Sequence, residues 1–337
     1  MKKAPRVVLA LLAALIVLHT RTLADDPVKL AQTGMQFLSV VSDARAAALA
    51  DAVTTLPFGS ASLFFNPACM AGGKFIEVAA SYNQWIADIK HTALSFSIAP
   101  AGGDFGVFGV SVQSVDYGEI LGTVVANNDQ GYEDIGTLDA SGLAVGIGYA
   151  KALSEQFSIG GQIRWVKQSL GSSIIPLTDS TTQTTGNKLT PFVFDFGTNF
   201  KTGLKSLAFG MSVRNFSTEV KYVSESFELP LTITLGLSMD MMDLLDDRTI
   251  VNTLLLSVDY VHNRDYREQI FVGTECFLLG ALALRAGYIS SSDENDFTFG
   301  FGLSAEKLTG YGIQVDYAYT PYGVFDKVQR FTVRLGM

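Results

Sequence analysis

The chain has 337 residues, 48% of them apolar and only 17% charged, with 32 glycines, 2 cysteines and a formal net charge of −9. Soluble domains carry about a quarter charged residues. So few charges in so apolar a chain exclude a disordered protein, two cysteines exclude a disulfide scaffold, and the acidic balance speaks against a nucleic-acid partner. The longest clean apolar run is Val7 to Leu18, and no later stretch approaches the roughly 18 to 20 apolar residues of a membrane-spanning helix.

The first predicted element is an export signal over 1–24. Lys2, Lys3 and Arg6 precede the apolar run, and Thr22-Leu23-Ala24 ends on a small residue before Asp25. Removing it takes four basic residues and no acid, which leaves 20 basic against 33 acidic residues and a net charge of −13.

Residues 25–73 show no alternation. Ala44 to Asp51 is predicted as a short helix, followed by Gly59-Ser60 and the run Ser62 to Ala68. Asn66-Pro67-Ala68 is a turn signal. The Asn66 amide, if buried, is placed to bond backbone groups of neighbouring structure, either as a plain turn or as part of a gate. The segment is too apolar for a solvated tail.

From about residue 74 the apolar residues recur with a period of two. Leu231, Ile233, Leu235, Leu237 and Met239 alternate with Thr232, Thr234, Gly236, Ser238 and Asp240. Phe297, Phe299, Phe301 and Leu303 alternate with Thr298, Gly300, Gly302 and Ser304. Such alternation marks strands with one apolar and one polar face. It delimits fourteen segments: 74–82, 89–99, 104–116, 140–151, 156–168, 191–200, 205–215, 230–240, 252–262, 267–278, 281–289, 297–306, 311–320 and 328–337. They exceed the usual five or six residues of globular strands and match the roughly 9–11 of a tilted bilayer-crossing strand.

Taken alternately, the connections form a mostly long set, with 117–139 and 169–190 the longest, and a mostly tight set broken only by 241–251. Long outside loops, short periplasmic turns and an even strand count are the signature of an outer-membrane barrel. The polar faces are rich in small residues, such as Gly142, Ala144, Gly146 and Gly148, which suits a lumen that houses other protein. The fold predicted is all-β: a fourteen-stranded antiparallel transmembrane β-barrel with an N-terminal hatch containing a short helix. The domains are 1–24 signal, 25–73 hatch and 74–337 barrel. The location is the outer membrane of a Gram-negative (diderm) bacterium, with both termini periplasmic and the long loops extracellular.

Parity places Arg164, Asp195, Arg214, Asp240, Asp259, Glu275, Arg285, Glu306, Asp316, Arg330 and Arg334 on the lumen face. These charges either pair with one another and with the hatch or form a conduit that selects substrate charge. In the 169–190 connection, Ile174, Ile175 and Leu177 form an apolar cluster that either contacts a partner or folds back over the mouth. Cys276 has the lipid-facing parity and Cys69 lies in the hatch, so both are expected as free thiols. Nothing points to an enzyme: no histidine pair has metal-ligand spacing, no Gly-x-Ser-x-Gly occurs, and the glycine pairs lie inside strands. No metal and no cofactor is expected.

Ser42 to Leu49, a spacer, then Ser60 to Ala68, with Phe64, Phe65, Asn66, Pro67 and Ala68 as its core, resembles the N-terminal hatch of the PorV/PorQ-type proteins. These belong to the wider FadL-like, fourteen-stranded outer-membrane group. The sequence departs from the pattern at Ala48 to Ala50, at Cys69-Met70 and at Met337. The resemblance implies a component of type IX secretion that binds cargo C-terminal domains or translocon partners through extracellular loops. The alternative it leaves open is FadL-like passive transport of hydrophobic small molecules or long-chain fatty acids through the hatch and a lateral wall opening. Outer-membrane lipid and the barrel-assembly machinery are expected partners in either case.

Overall fold

The computed structural model describes residues 33–337 apart from 178–180, 223–225, 246–249, 291, 293–295 and 326, and apart from the side chains of 173–177 and 181–183. The expected signal, 1–24, lies outside the described residues.

Fourteen long strands form the wall. The first seven are β1 (Ile76–Gln84), β2 (Lys90–Ile98), β3 (Val107–Asp116), β4 (Ala140–Ala152), β5 (Phe157–Leu177), β6 (Phe192–Lys201) and β7 (Ala208–Phe216). The second seven are β8 (Thr232–Asp240), β9 (Val251–Asn263), β10 (Gln269–Leu278), β11 (Leu282–Ile289), β12 (Phe297–Ser304), β13 (Gly312–Pro321) and β14 (Lys327–Gly336). Each pairs antiparallel with the next, and β14 pairs with β1, from Glu77 opposite Gly336 to Gln84 opposite Gln329. The barrel is therefore closed and leaves no wall strand with an open edge. Both ends of the wall lie at its short-turn end, where Met337 and Ile76 exchange backbone hydrogen bonds of 3.0 and 3.1 Å.

The alternation in the sequence becomes an inside and an outside. On β2, Leu94 is 47% exposed and the next residue, Ser95, 4%. The same contrast runs around the wall, with Phe96, Phe108, Ile147, Phe196, Leu237, Phe301 and Leu335 exposed on the outside and Ser97, Ser111, Gln162, Asp195, Ser238, Asp316 and Thr332 buried inside. A water-soluble sandwich buries the opposite face, and an apolar surface that encircles the molecule far exceeds the patches of soluble monomers.

Thirteen of the fourteen strands begin and end within three residues of the alternating segments. The exception is β5, which runs on to Leu177 and pairs with Thr181–Leu189 as a projecting hairpin. The 117–139 connection likewise contains a hairpin, Ile120–Val125 against Tyr132–Leu138. Both connections, expected as loops, are largely strand. Ile174, Ile175 and Leu177 fall on the distal part of β5, and their side chains are outside the described ones.

The segment from Thr33 to Lys74 packs against the inward side chains of the wall. It contains one α-turn, α1 (Ala44–Ala48), and 3-10 turns at Gln36–Ser39, Gly59–Phe64 and Pro67–Gly72. Asp43 caps α1, its side chain accepting from Ala46 N at 3.0 Å, and Asn66 caps the last turn with Pro67 following it. Irregular backbone at membrane depth is tolerated only where protein satisfies it. Here the wall does so: Thr332 Oγ1 accepts from Ala44 N at 2.8 Å, Thr298 Oγ1 donates to Ala48 O, Ser158 Oγ to Ala68 O, and Gln113 Nε2 to Phe37 O.

An apolar girdle over a closed β-wall makes the fold detergent-dependent and heat-modifiable. Purified protein is expected to give a β-type circular dichroism spectrum and to run faster on a gel unheated than boiled. A monomer that is soluble without detergent would contradict this architecture.

Candidate functional site

Three sets of inward residues position the N-terminal segment. The first is glycine. A Cβ added to Gly160 would lie 2.5 Å from Ala68 N, one on Gly300 2.5 Å from Ala48 Cβ, one on Gly273 2.7 Å from Leu49 O, and one on Gly109 2.8 Å from Leu63. Gly197 meets Asn66 and Gly287 meets Ala50 more closely still. Glycine on successive strands leaves the depth that this segment occupies.

The second set is an alternating circuit of charge. Arg45 grips Glu275 with two hydrogen bonds, 2.8 and 2.9 Å. Glu275 also accepts from Arg285 at 2.5 Å, and Arg285 donates to Asp316 at 2.7 Å. Asp316 pairs with Arg334, and Arg334 with Asp43. The circuit leaves the segment at Arg45, crosses β10, β11, β13 and β14, and returns at Asp43. Its charges cancel, three against three. Both segment-side guanidinium contacts converge on Phe58, with Arg45 4.7 Å and Arg334 5.1 Å from its ring centroid.

The third set lies on the other side of the lumen. Arg164 pairs with Asp195 at 2.7 Å and donates to Asn215 Oδ1 at 2.5 Å, while Gln162 donates to Asp195 at 2.9 Å. Asn215 sits at a register shift in β7, with φ of 62°, and donates to Pro230 O at 2.9 Å. Arg214 reaches Asp51 at 3.4 Å and Phe64 O at 3.0 Å.

The hatch-motif residues lie among these contacts. Asn66 is buried, donates to Thr54 O at 2.7 Å and to Thr198 O of β6 at 3.0 Å, and accepts from Ala68 N at 3.0 Å. Pro67 and Ala68 are buried, Phe65 packs on Phe58 with centroids 5.3 Å apart, and Phe64 is half-buried. Asp259 is fully buried and accepts from Val53 N at 2.9 Å and Thr54 N at 3.0 Å. Arg330 donates to Val41 O at 2.8 Å and to Thr320 Oγ1 at 2.9 Å.

Two residues assigned to the lumen by parity serve the short-turn rim instead. Asp240 ends β8 and accepts from Met242 N and Leu254 N, both at 3.0 Å, which caps the turn Met241–Leu244. Glu306 is exposed and pairs with Lys74 at 2.6 Å. Both stand where a strand gives way to a turn, and parity does not extend past that point.

On the loop side of the segment lies a cavity of about 380 Å³. Its floor includes Val41, Ala47, Ala50 and Asp51, and its apolar wall Leu231, Val261, Phe271 and Ile289. Arg214 and Arg330 supply charge, and Trp85 and Tyr322 come from the loops. The Trp85 ring lies 5.0 Å from Tyr322 and 5.3 Å from the Arg330 guanidinium. Burial raises the pKa of Asp51, and Arg214 partly offsets the rise. Sequence reasoning did not find this cavity, because its lining comes from the N-terminal segment, several strands and five loops. Among the described residues no group of histidine, cysteine and carboxylate side chains is arranged to hold a metal.

No protein-family model and no curated protein matches the sequence. Solved structures do match the fold. The Ralstonia pickettii toluene transporter TbuX superposes with a TM-score of 0.58 at 11% identity, over 88% of this chain and 97% of that one. The Pseudomonas putida toluene transporter TodX gives 0.53 at 14% identity, over 86% and 96%. A Pseudomonas aeruginosa FadL homologue gives 0.53 at 10% identity, over 87% and 97%. At such identity the likeness establishes the fold. No comparison supports the PorV/PorQ resemblance or a secretion role.

Two outcomes test the packing. Arg285→Met leaves the Glu275 and Asp316 carboxylates short of a partner, and breaking a buried pair costs about 3–5 kcal/mol, so the heat-modifiable gel shift is expected at a clearly lower temperature. Burial pushes the Cys69 thiol up to about 12, and both cysteines are free. Cys69 is therefore expected to resist maleimide at neutral pH until the barrel is unfolded, and a Cys69–Cys276 crosslink would show that the segment is not seated inside the wall.

Proposed function

We propose that the protein is an outer-membrane channel for hydrophobic small molecules, of the type its fold neighbours represent, and that residues 25–73 are its hatch. The observation that carries this is the cavity of about 380 Å³ at the loop-end mouth of a fourteen-stranded barrel, floored by the seated segment and walled in part by Leu231, Val261, Phe271 and Ile289. A site of a few hundred Å³ with apolar walls and a few polar groups is what small-ligand binding needs. In this reading 1–24 is the export signal, 74–337 the wall, the short-turn end periplasmic and the loop end extracellular. Ligand enters past Trp85 and Tyr322 and comes to rest against the hatch. Below it the lumen is occupied, so onward passage requires the hatch to shift or the wall to part. The proposal reverses the order drawn from the hatch motif, in which secretion stood first. The secretion reading keeps only the likeness of residues 42–68.

The discriminating experiment uses cells that depend on this barrel for uptake of radiolabelled toluene or a long-chain fatty acid. Ile289→Trp fills the cavity and is expected to abolish most uptake at unchanged barrel level, whereas deleting 172–186 from the projecting hairpin is expected to leave uptake intact. Uptake no greater than in cells lacking the barrel would overturn the proposal. Loss of surface display of sorting-domain cargo on the hairpin deletion would restore the secretion reading.

A further inference from the structure

The outside of the wall is not uniform at its loop end. On six of the fourteen wall strands an outward residue near the loop end is aromatic and exposed: Phe192, Phe216, Tyr260, Tyr288, Phe297 and Tyr319. Such a collar is expected where a barrel meets the membrane interface. On β2 to β5 it is interrupted. Here the outward row reads Thr92, Ser114, Leu143 and Lys167, residues directly opposite one another in the ladder. The next row toward the loops reads Lys90, Asp116, Ser141 and Ser169. Short side chains between longer ones leave a depression of about 480 Å³ on the outer face, bordered by Tyr82, Lys90 and Lys167.

We infer that this depression is a binding site for the phosphate-bearing head of a membrane lipid in the leaflet at the loop end; the inference rests on the barrel spanning a membrane. Its charge selects an anion. Among the described residues neither Lys90 nor Lys167 is paired with an acid, and the one carboxylate in the depression, Asp116, accepts from Gly118 N at 2.9 Å. The hydroxyls of Thr92, Ser114, Ser141 and Ser169 supply neutral donors around the two ammonium groups. What lies below selects a lipid over a free anion. The next outward row is Leu94, Val112, Val145 and Trp165, and the one after it Phe96, Val110, Ile147 and Ile163. An acyl chain running down from a head held in the depression lies along these two rows. Polar side chains at bilayer depth are costly when they face only hydrocarbon, and a bound head group removes that cost where the aromatic collar is missing.

The test uses the purified full-length barrel in neutral-detergent micelles doped equally with phosphatidylglycerol and phosphatidylcholine, with retained lipid counted by native mass spectrometry. Wild type is expected to retain phosphatidylglycerol preferentially. Lys90→Ser with Lys167→Ser is expected to reduce that retention by on the order of tenfold, given the attraction of each basic residue to an anionic lipid surface. Lys327→Ser, an exposed lysine at the same end on β14, is expected to leave it unchanged. Equal retention of the two lipids, or an equal loss with Lys327→Ser, would overturn the assignment. Displacement of the lipid by inorganic phosphate alone would make the depression a free-anion site and overturn it as well. Uptake through the lumen is measured separately and is expected to be unchanged in the double variant. Failure of the membrane-barrel reading itself would show as absence of heat-modifiable migration in the same preparation.

Discussion

Charge inside a closed barrel has to be neutralised by protein, because the wall separates it from lipid and the lumen holds little water once filled. The circuit Asp43, Arg334, Asp316, Arg285, Glu275, Arg45 meets that requirement with equal numbers of acids and arginines. Four of its members belong to the wall and two to the N-terminal segment. The wall alone would keep Glu275 and Asp316 against Arg285 and Arg334, but Arg45 and Asp43 complete the pairing only when the segment is in place. A buried network of this kind is poor evidence of net stability. Its consequence is geometric: it fixes where α1 starts, and the rest of the segment is threaded from that point.

The glycines make that placement possible, since each one removes a side chain where the segment's backbone approaches the wall. Backbone groups of the segment then bond directly to inward side chains, and Asn66 ties Thr54 to Thr198 across the boundary. Charge circuit and glycine seating hold the segment's short-turn side closely. The loop side is less filled, and the cavity opens there. Asp51 and Arg214, which pair on the floor of this cavity, are the point at which the anchored structure meets the space open to a ligand.

Much of the wall was legible because bilayer-crossing strands must alternate, and alternation survives in a single sequence. It fails where its physical cause ends. The distal part of β5 projects beyond the girdle, so residues 169–177 carry no lipid-facing pattern and read as loop although they pair with Thr181–Leu189. Asp240 and Glu306 kept the lumen parity only up to the turns they flank. The charge circuit was legible as a set of residue types but not as pairs, since Arg334 and Asp43 are 291 residues apart in sequence. The hatch motif was legible as a turn, and it carried too little length to separate two kinds of fourteen-stranded barrel. The cavity left no signal because no one element builds it.

A segment seated in this way is expected to close the lumen. Single-channel conductance in planar bilayers tests it most directly, comparing the intact barrel with a variant lacking residues 33–73, each first checked for heat-modifiable migration. No steady ionic conductance is expected from the intact barrel, and large, long-lived openings are expected from the shortened one. A porin-like steady conductance in the intact protein, or a folded shortened barrel that stays closed, would contradict it.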